Sequence, residues 1–176
     1  GCSQLVNVDI PSSVTSIGYA CFSGCTSLEA IAIPSSVTSI EGCIFKNCSN
    51  LKDVSLPSTL STITYESFSG CSSLERIVIP SSITNLSNEA FKGCTKLSHI
   101  EFPSSITSIG VSCFSNCVSL TSLEFPPSFT IFGSRCFENC TNLESLVIPA
   151  SVENLGQGSF YHCYNIKTVR FLGKVP

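Results

Sequence analysis

Apolar and polar residues follow one pattern that recurs along the whole chain. Close copies of the stretch IPSSVTSIG begin at seven positions: Ile10, Ile33, Leu56, Ile79, Phe102, Phe125 and Ile148. The copies are spaced by 23 residues without an insertion or a deletion. A fixed period between 20 and 50 residues is typical of a solenoid, in which each repeat forms one coil.

Two apolar columns appear when the copies are aligned. They consist of Phe22, Phe45, Phe68, Phe91, Phe114, Phe137 and Phe160, and of Leu5, Leu28, Leu51, Leu74, Leu97, Leu120, Leu143 and Ile166. Apolar residues recur three and five positions after each column leucine, which predicts a short strand with alternate side chains buried. A 23-residue unit cannot bury its own apolar face, so each coil closes its core only against its neighbours.

A third column predicts a turn. It holds Gly24, Asn47, Gly70, Gly93, Asn116, Asn139 and His162. Gly, Asn and His tolerate positive φ, so we expect a left-handed residue here, which accounts for His162 without a ligand role. The prolines suit corners after the strands, and the serines and threonines that follow them should face solvent. Eight strands at about 4.8 Å spacing would give a concave sheet about 35 Å long.

The repeat resembles a known family. L-x-x-[IV]-x-[IF]-P followed by S-S-[VI]-T-S-I-G-x-x-x-F-x-[GN]-C-T-x-L is similar to the BspA-like class of leucine-rich repeat over residues 1–171. The resemblance implies a β-rich α/β repeat fold, a right-handed solenoid of 23-residue coils with a parallel sheet on its concave face. The resemblance also implies a function, because members of this class are commonly surface proteins that bind host or matrix proteins.

The repeat register defines the domain organisation that we expect. A single leucine-rich-repeat solenoid spans 1–176, with a partial repeat at 1–10, seven in-register repeats at 11–171 and a divergent exit at 172–176. The sequence begins in the middle of a repeat, with no polar capping sequence before it. We therefore expect a fragment of a longer chain.

Composition excludes several classes of function. The chain has 176 residues, of which 43% are hydrophobic and 12% charged, so it has enough apolar material for a core. The net charge of -3 and the lack of a Lys/Arg-rich run argue against a nucleic-acid partner. No stretch approaches the ~18 apolar residues of a membrane span, so we expect no membrane insertion by this segment.

Twelve cysteines raise the question of disulfides or metal. Eight share one column: Cys2, Cys25, Cys48, Cys71, Cys94, Cys117, Cys140 and Cys163. Stacked side chains point the same way rather than at each other, which favours a ladder of buried free thiols. Cys113, Cys117, Cys136 and Cys140 could converge on one zinc, but the column of Cys113 and Cys136 also accepts Ala and Ile. We predict no metal and no cofactor, and we place Cys43 near solvent.

Candidate contact residues lie at the outward positions of the strands, which are not repeated. Asp53, Arg76, His99, Glu101 and Glu124 cluster in the middle of the predicted sheet. Glu101 and Glu124 should be neighbours on adjacent strands, where like charges are mildly destabilising. The cluster is either a patch for a basic partner or a solvated face. As a glycosidase pair the two carboxylates would need a pocket, which a smooth repeat surface without inserted loops does not offer.

Three functional hypotheses follow. The first is a noncatalytic protein-binding solenoid, part of a surface or secreted adhesion-type protein that binds its partner through the concave sheet. The alternative is an intracellular structural scaffold component of a large assembly, which reduced thiols and absent glycans would fit. A hydrolase would require a cleft, and no nucleophile motif or phosphate loop occurs. Of the three glycosylation sequons, only the one at Asn85 is not explained by a structural column.

Overall fold

The computed structural model of the protein describes residues 1–173 and consists of stacked coils with short parallel strands. One strand follows each member of the leucine column from Leu28 to Ile166: β1 (Ala30–Ala32), β2 (Asp53–Ser55), β3 (Arg76–Val78), β5 (His99–Glu101), β7 (Ser122–Glu124), β9 (Ser145–Ile148) and β11 (Thr168–Phe171). A second set follows the Pro-Ser phrases: β4 (Asn85–Leu86), β6 (Ser108–Ile109), β8 (Ile131–Phe132) and β10 (Asn154–Leu155). Every strand pair joins residues one repeat apart, so the predicted solenoid is confirmed.

The strand after Leu5, the handedness of the coil and the C-terminal exit were also predicted from the sequence. The strand expected after Leu5 is not formed, and the Glu29 amide reaches the Val6 carbonyl only at 3.4 Å. The right-handed sense of the coil stays a prediction. The predicted exit at 172–176 lies partly outside the described residues.

The α component of the expected α/β class is not found, because residues 1–173 contain no helix. There is consequently no helix in this part of the chain that could cross a membrane. The predicted turn column does adopt positive φ, between 59° and 77°. A second column four residues earlier does so as well: Ala20, Cys43, Glu66, Glu89, Ser112, Arg135 and Gly158. Two left-handed residues so close together interrupt the uniform right-handed φ that a helix requires.

The segment between these two columns forms a continuous wall of backbone hydrogen bonds. We call it the turn wall: residues 20–24 and their equivalents in each coil. At every junction between coils three amides donate to the following coil; for example, Phe68 and Gly70 donate to the carbonyls of Ala90 and Lys92 at 2.8 and 2.7 Å. The turns thereby satisfy their backbone groups without a helix.

The two apolar columns form the core, as predicted. The phenylalanine rings from Phe45 to Phe137 and the leucines from Leu28 to Leu143 are fully buried, while the end-coil members Phe22 and Phe160 are partly buried. Neighbouring rings of the phenylalanine column stack with centroids 5.2 to 5.9 Å apart. The core is therefore one column of aromatic rings running through the solenoid.

The most divergent phrase, FPPSFTIFG, packs additional aromatic rings into this core. Phe129 and Phe132 are buried and lie 4.7 Å apart, and Phe125 lies 4.6 Å from Phe129. Ile131 alternates with them on β8 and is 51% exposed. The unusual residues are thus a local change of core packing, with one isolated apolar side chain at the surface.

The cysteine column donates hydrogen bonds from coil to coil. The Sγ atoms of Cys71 and Cys94 donate to the carbonyl oxygens of Phe45 and Phe68, both at 3.1 Å. Equivalent bonds at 2.9 to 3.2 Å are made by Cys48, Cys117, Cys140 and Cys163. All twelve cysteines are free thiols, of which Cys2 and Cys21 are exposed. The ladder is confirmed, but its thiols are also hydrogen-bond donors and not only small apolar groups.

The second serine of the repeated phrase acts in the same way. Ser82 Oγ donates to the Leu60 carbonyl oxygen at 2.5 Å, and Ser105 Oγ donates to that of Ile83 at 2.7 Å. Ser105 is half-buried rather than solvated as expected, whereas Ser82 and the first serines of these two phrases, Ser81 and Ser104, are exposed. The phrase is repeated because it supplies a corner, a buried apolar pair and a bond to the preceding coil.

Replacing one central ring tests the core. Phe91→Ala should lower the free energy of unfolding by about 3 to 5 kcal/mol, because it leaves a cavity between two stacked rings. Val78→Ala is the matched control, since Val78 is 60% exposed, and should change it by less than about 0.5 kcal/mol. Urea unfolding followed by circular dichroism measures both. Equal midpoints for the two variants would contradict the assignment of the phenylalanine column to the core.

The buried thiols predict a loss of stability in alkali. Burial raises the pKa of Cys48 from 9.0 to about 11 and that of Cys136 to about 12. Thiols of the unfolded chain ionise above about pH 9 while the buried ones stay protonated, so the unfolded state is favoured as the pH rises. The free energy of unfolding should fall by up to about 1.4 kcal/mol per pH unit for each such thiol.

Urea titrations under reducing conditions between about pH 7 and pH 11 measure this loss. Stability should be constant up to about pH 8.5 and should then decrease. The fall should be shallower for Cys48→Ala, measured against its own neutral-pH value. A wild-type profile that stays flat through pH 10 would show that the thiols are not shielded from ionisation.

Candidate binding face

The outward side chains of β1, β2, β3, β5, β7, β9 and β11 form one surface, which we call the strand face. In the three-residue strands the middle residue packs inward and its two neighbours point to solvent. All five predicted site residues occupy such outward positions and all are exposed: Asp53, Arg76, His99, Glu101 and Glu124. Their exposure follows from the strand alternation, and their variety distinguishes this surface from the repeated columns.

An open depression of about 1520 Å³ runs along the strand face between residues 7 and 101. Asp53, Arg76, His99 and Glu101 line it, together with small and apolar side chains of the same strands. Glu124 lies outside it. The structure therefore brings four of the five predicted residues into one concavity and leaves the fifth beyond its end.

The charged side chains of the depression interact weakly with one another. Arg76 and His99 are direct partners in the β3–β5 pair. His99 Nε2 lies 3.3 Å from Glu101 Oε1, and both side chains are at least 60% exposed. An exposed pair of this kind contributes at most about 1 kcal/mol, and only while the imidazole is protonated. These side chains are consequently available for other contacts.

Glu101 and Glu124 do not form the cross-strand pair that the repeat register predicts. β5 pairs with β3, and β7 pairs with β9, so the two glutamates belong to separate sheets. The ladder partner of Glu124 is Val147. Both carboxylates also lie on an open surface, whereas the acid of a glycosidase needs a desolvated carboxyl group. The geometry offers nothing in favour of the hydrolase hypothesis.

The prediction that Cys43 lies near solvent is wrong, since the residue is 3% exposed. Two tyrosines cover it. The Tyr65 ring lies over Gly42, so close that a Cβ at that position would be 2.6 Å from a ring carbon. The pKa of Tyr19, from the preceding coil, is raised to about 12, chiefly by its interaction with Cys43. The sequence column of Cys43 contains charged residues and gives no sign of this cover.

A small polar network completes the enclosure of Cys43. Its Sγ donates to Glu66 Oε2 at 3.1 Å, and Lys46 Nζ donates to the same oxygen at 2.7 Å. The Lys46 hydrogen bond, followed by that of the thiol, lowers the pKa of Glu66. Burial raises the pKa of Cys43, and the hydrogen bond to Glu66 adds to this. The thiol is held protonated, which disfavours a role as a nucleophile.

The cysteine pairs and the histidines show no metal-site geometry. Within residues 1–173 no three His, Cys, Asp or Glu side chains are placed to hold a metal ion. Cys113, Cys117, Cys136 and Cys140 are buried, and the thiols of Cys117 and Cys140 donate to backbone carbonyls.

His162 ends a short ladder of amide side chains. Asn139 Nδ2 donates to Asn116 Oδ1 at 3.1 Å, and His162 Nδ1 donates to Asn139 Oδ1 at 2.9 Å. The ring also stacks between Tyr161 and Tyr164, with centroids 3.8 and 5.3 Å away. Both its φ of 61° and these contacts fit the turn-column interpretation made from the sequence.

Comparison with known proteins identifies the family. The BspA type leucine-rich repeat region matches in six copies, over residues 1–98 and 66–176. A leucine-rich repeat protein of T. pallidum (TpLRR) is 30% identical, with 92% of this chain and 64% of that chain covered and a TM-score of 0.64. One from Eubacterium ventriosum ATCC 27560 is 37% identical over 76% of this chain and 36% of that chain, with a TM-score of 0.71.

A further similar structure supports the fold alone. The leucine rich cell surface protein of Faecalibacterium prausnitzii A2-165 is 23% identical, over 98% of this chain and 67% of that chain, with a TM-score of 0.52. No curated protein matches the chain significantly. The chain spans less than two thirds of the T. pallidum protein. The repeat register, the coil geometry and the family match lead to one conclusion, that the chain belongs to the BspA-type leucine-rich repeat proteins.

Proposed function

We propose that this protein is a noncatalytic binding solenoid that engages a partner protein through its strand face. The observation that carries the proposal is the open depression of about 1520 Å³, lined by side chains that differ from coil to coil. The remaining columns are occupied by the core, the turn wall and the inter-coil bonds. A partner would make many shallow contacts, because no enclosed pocket accompanies these residues.

The dimensions of the strand face support a protein partner rather than a small molecule. Seven strands at about 4.8 Å spacing extend over about 30 Å, comparable with one side of a standard protein interface. Asp53, Arg76, His99 and Glu101 would supply charged contacts in the depression, and Glu124 would extend them to the next coils. Their mixed charge favours specificity and fast association more than raw affinity.

A surface or secreted, adhesion-type parent protein is the setting that we propose. One protein of the same fold carries the description of a cell surface protein, and another, PcpA, is described as a pneumococcal vaccine antigen. PcpA is 19% identical over 89% of this chain and 56% of that chain, with a TM-score of 0.62, and supports the fold only. Asn85 is exposed on β4, which is compatible with a glycan at its sequon.

An intracellular scaffold is the second candidate, favoured by the free thiols. Ten of the twelve cysteines are buried or partly buried, and none forms a disulfide. Such a protein would use the same strand face to dock into a large assembly in a reducing compartment. The intact mass of the native protein, after alkylation under denaturing but nonreducing conditions, separates the two settings through its glycan and thiol content.

Charge reversal on the strand face tests the proposed binding surface. Immobilised wild-type chain captures proteins from extracts of the native source, and the retained proteins are identified by mass spectrometry. Glu101→Lys should leave the melting temperature unchanged and weaken retention of the true partner by about tenfold, because like charges at an interface oppose binding. Asn85→Lys is the matched control, exposed on the other strand set, and should retain the partner normally.

Retention by Arg76→Glu, which reverses a positive charge on the same face, is measured in parallel. Loss of retention in either strand-face variant but not in the control supports the proposal. Equal retention by the wild type and all three variants would exclude the strand face as the binding surface.

A further inference from the structure

The backbone amides that follow the strands differ in whether they donate to the next coil. The amides of Ile33 and Ile79 donate to carbonyl oxygens of the following coil at 3.0 and 3.2 Å. Leu56 and Phe102 occupy the same position in the alternate coils, and within the described chain their amides make no such bond. The two bonded residues are isoleucines, whereas the unbonded residues of this column, Leu56 and Phe102, have side chains of another shape.

The backbone amides that precede the strands also differ in whether they bond to a neighbouring coil. The amide of Ser98 donates to the Glu75 carbonyl at 3.0 Å, and that of Glu144 donates to the Thr121 carbonyl at 2.8 Å. The amides of Glu75 and Thr121 have no equivalent bond among residues 1–173. The amides before the strands therefore indicate two open junctions, between β2 and β3 and between β5 and β7. The position after the strands is less selective, because the Phe125 amide also lacks this bond although β7 and β9 are paired.

The strand face is consequently divided into three blocks, which are β1–β2, β3–β5 and β7–β9–β11. The turn wall remains closed at both junctions, where the amides of Phe68 and Phe114 donate to the next coil at 2.8 Å. The second strand set also remains paired there, through the Ile63–Leu86 bridge and through β6 with β8. Each open junction thus keeps backbone hydrogen bonds in the turn wall and pairing in the second strand set.

We propose that the strand face opens and closes at these two junctions, with its three blocks turning about the turn wall as a continuous hinge. This inference concerns the free protein and does not depend on the proposed binding function. It has a consequence for the candidate contacts, which are distributed over the blocks: Asp53 on the first, Arg76, His99 and Glu101 on the second, Glu124 on the third. Opening a junction changes the spacing between blocks while the spacing within each block stays fixed.

Electrostatic repulsion gives a reason for the missing hydrogen bonds between β5 and β7. Glu101 and Glu124 occupy the same column in successive coils, the position at which a closed ladder would place two carboxylates side by side. Like charges in direct cross-strand contact are destabilising. Repulsion between these two side chains therefore works against hydrogen bonding between β5 and β7.

Amide hydrogen exchange of the isolated protein, followed residue by residue by NMR, tests the bonding pattern. Leu56 and Phe102 should have protection factors at least about tenfold lower than Ile33 and Ile79, because their amides lack an acceptor. Phe68 should stay protected, since the hinge keeps its hydrogen bond. Equal protection of the four strand-face amides would overturn the proposal, and so would loss of protection at Phe68, which indicates local unfolding instead.

Nitrogen-15 relaxation dispersion on the same sample tests whether the blocks move. Glu75 and Thr121 should show exchange on the microsecond to millisecond timescale that is typical of collective motions. Ser98 and Glu144, which are bonded at the equivalent position, are the matched controls and should show none. Flat dispersion profiles at all four amides would mean that the junctions are static gaps and would overturn the hinge.

One substitution tests the β5–β7 junction independently of the β2–β3 junction. Glu124→Gln removes the carboxylate charge and should raise the protection of Phe102 severalfold by allowing β5 and β7 to approach. Leu56 reports on the other junction and should be unchanged, which makes it an internal control for global stability. Unchanged protection at Phe102 would overturn repulsion as the cause of the β5–β7 opening.

Discussion

The main stabilising contacts of this solenoid join each coil to the coil one repeat away. A unit of 23 residues has too little volume to surround a phenylalanine ring, so each ring is buried by the rings above and below it. The backbone bonds of the turn wall and the thiol and serine donors also end on neighbouring coils. Stability and register are therefore set together, by the same contacts.

The core and one of the turns could be predicted from residue types, because each column imposes a single physical demand. Burial selects Phe or Leu, and positive φ selects Gly or Asn, with His162 as a tolerated exception. The second left-handed column escaped prediction because it contains Ala, Cys, Glu, Ser and Arg, none of which indicates positive φ. Those residues are held there by inter-coil bonds, and this is also why the expected helical component does not form.

Side chains that extend over a neighbouring coil were the second feature that the sequence did not predict. The column of Cys43 contains glutamates and an arginine and indicates exposure, yet tyrosines from the coils on either side cover the thiol. The exposure of the five candidate contact residues was predictable from strand alternation alone. Their division among three sheets was not, because it depends on which backbone amides are close enough to an acceptor, a property that the period of the repeat does not encode.

The inter-coil donors have a consequence for how such a chain can change its length. Each ladder thiol from Cys48 to Cys163 bonds a carbonyl 26 residues earlier, and the bonding serines of the Pro-Ser phrases bond one 22 residues earlier. An insertion of one residue inside a coil would disrupt both sets, whereas the gain or loss of a complete coil would leave every donor opposite an acceptor. Recombination between equal coils can therefore lengthen or shorten the array and vary its surface, while every new junction is one that the fold already contains.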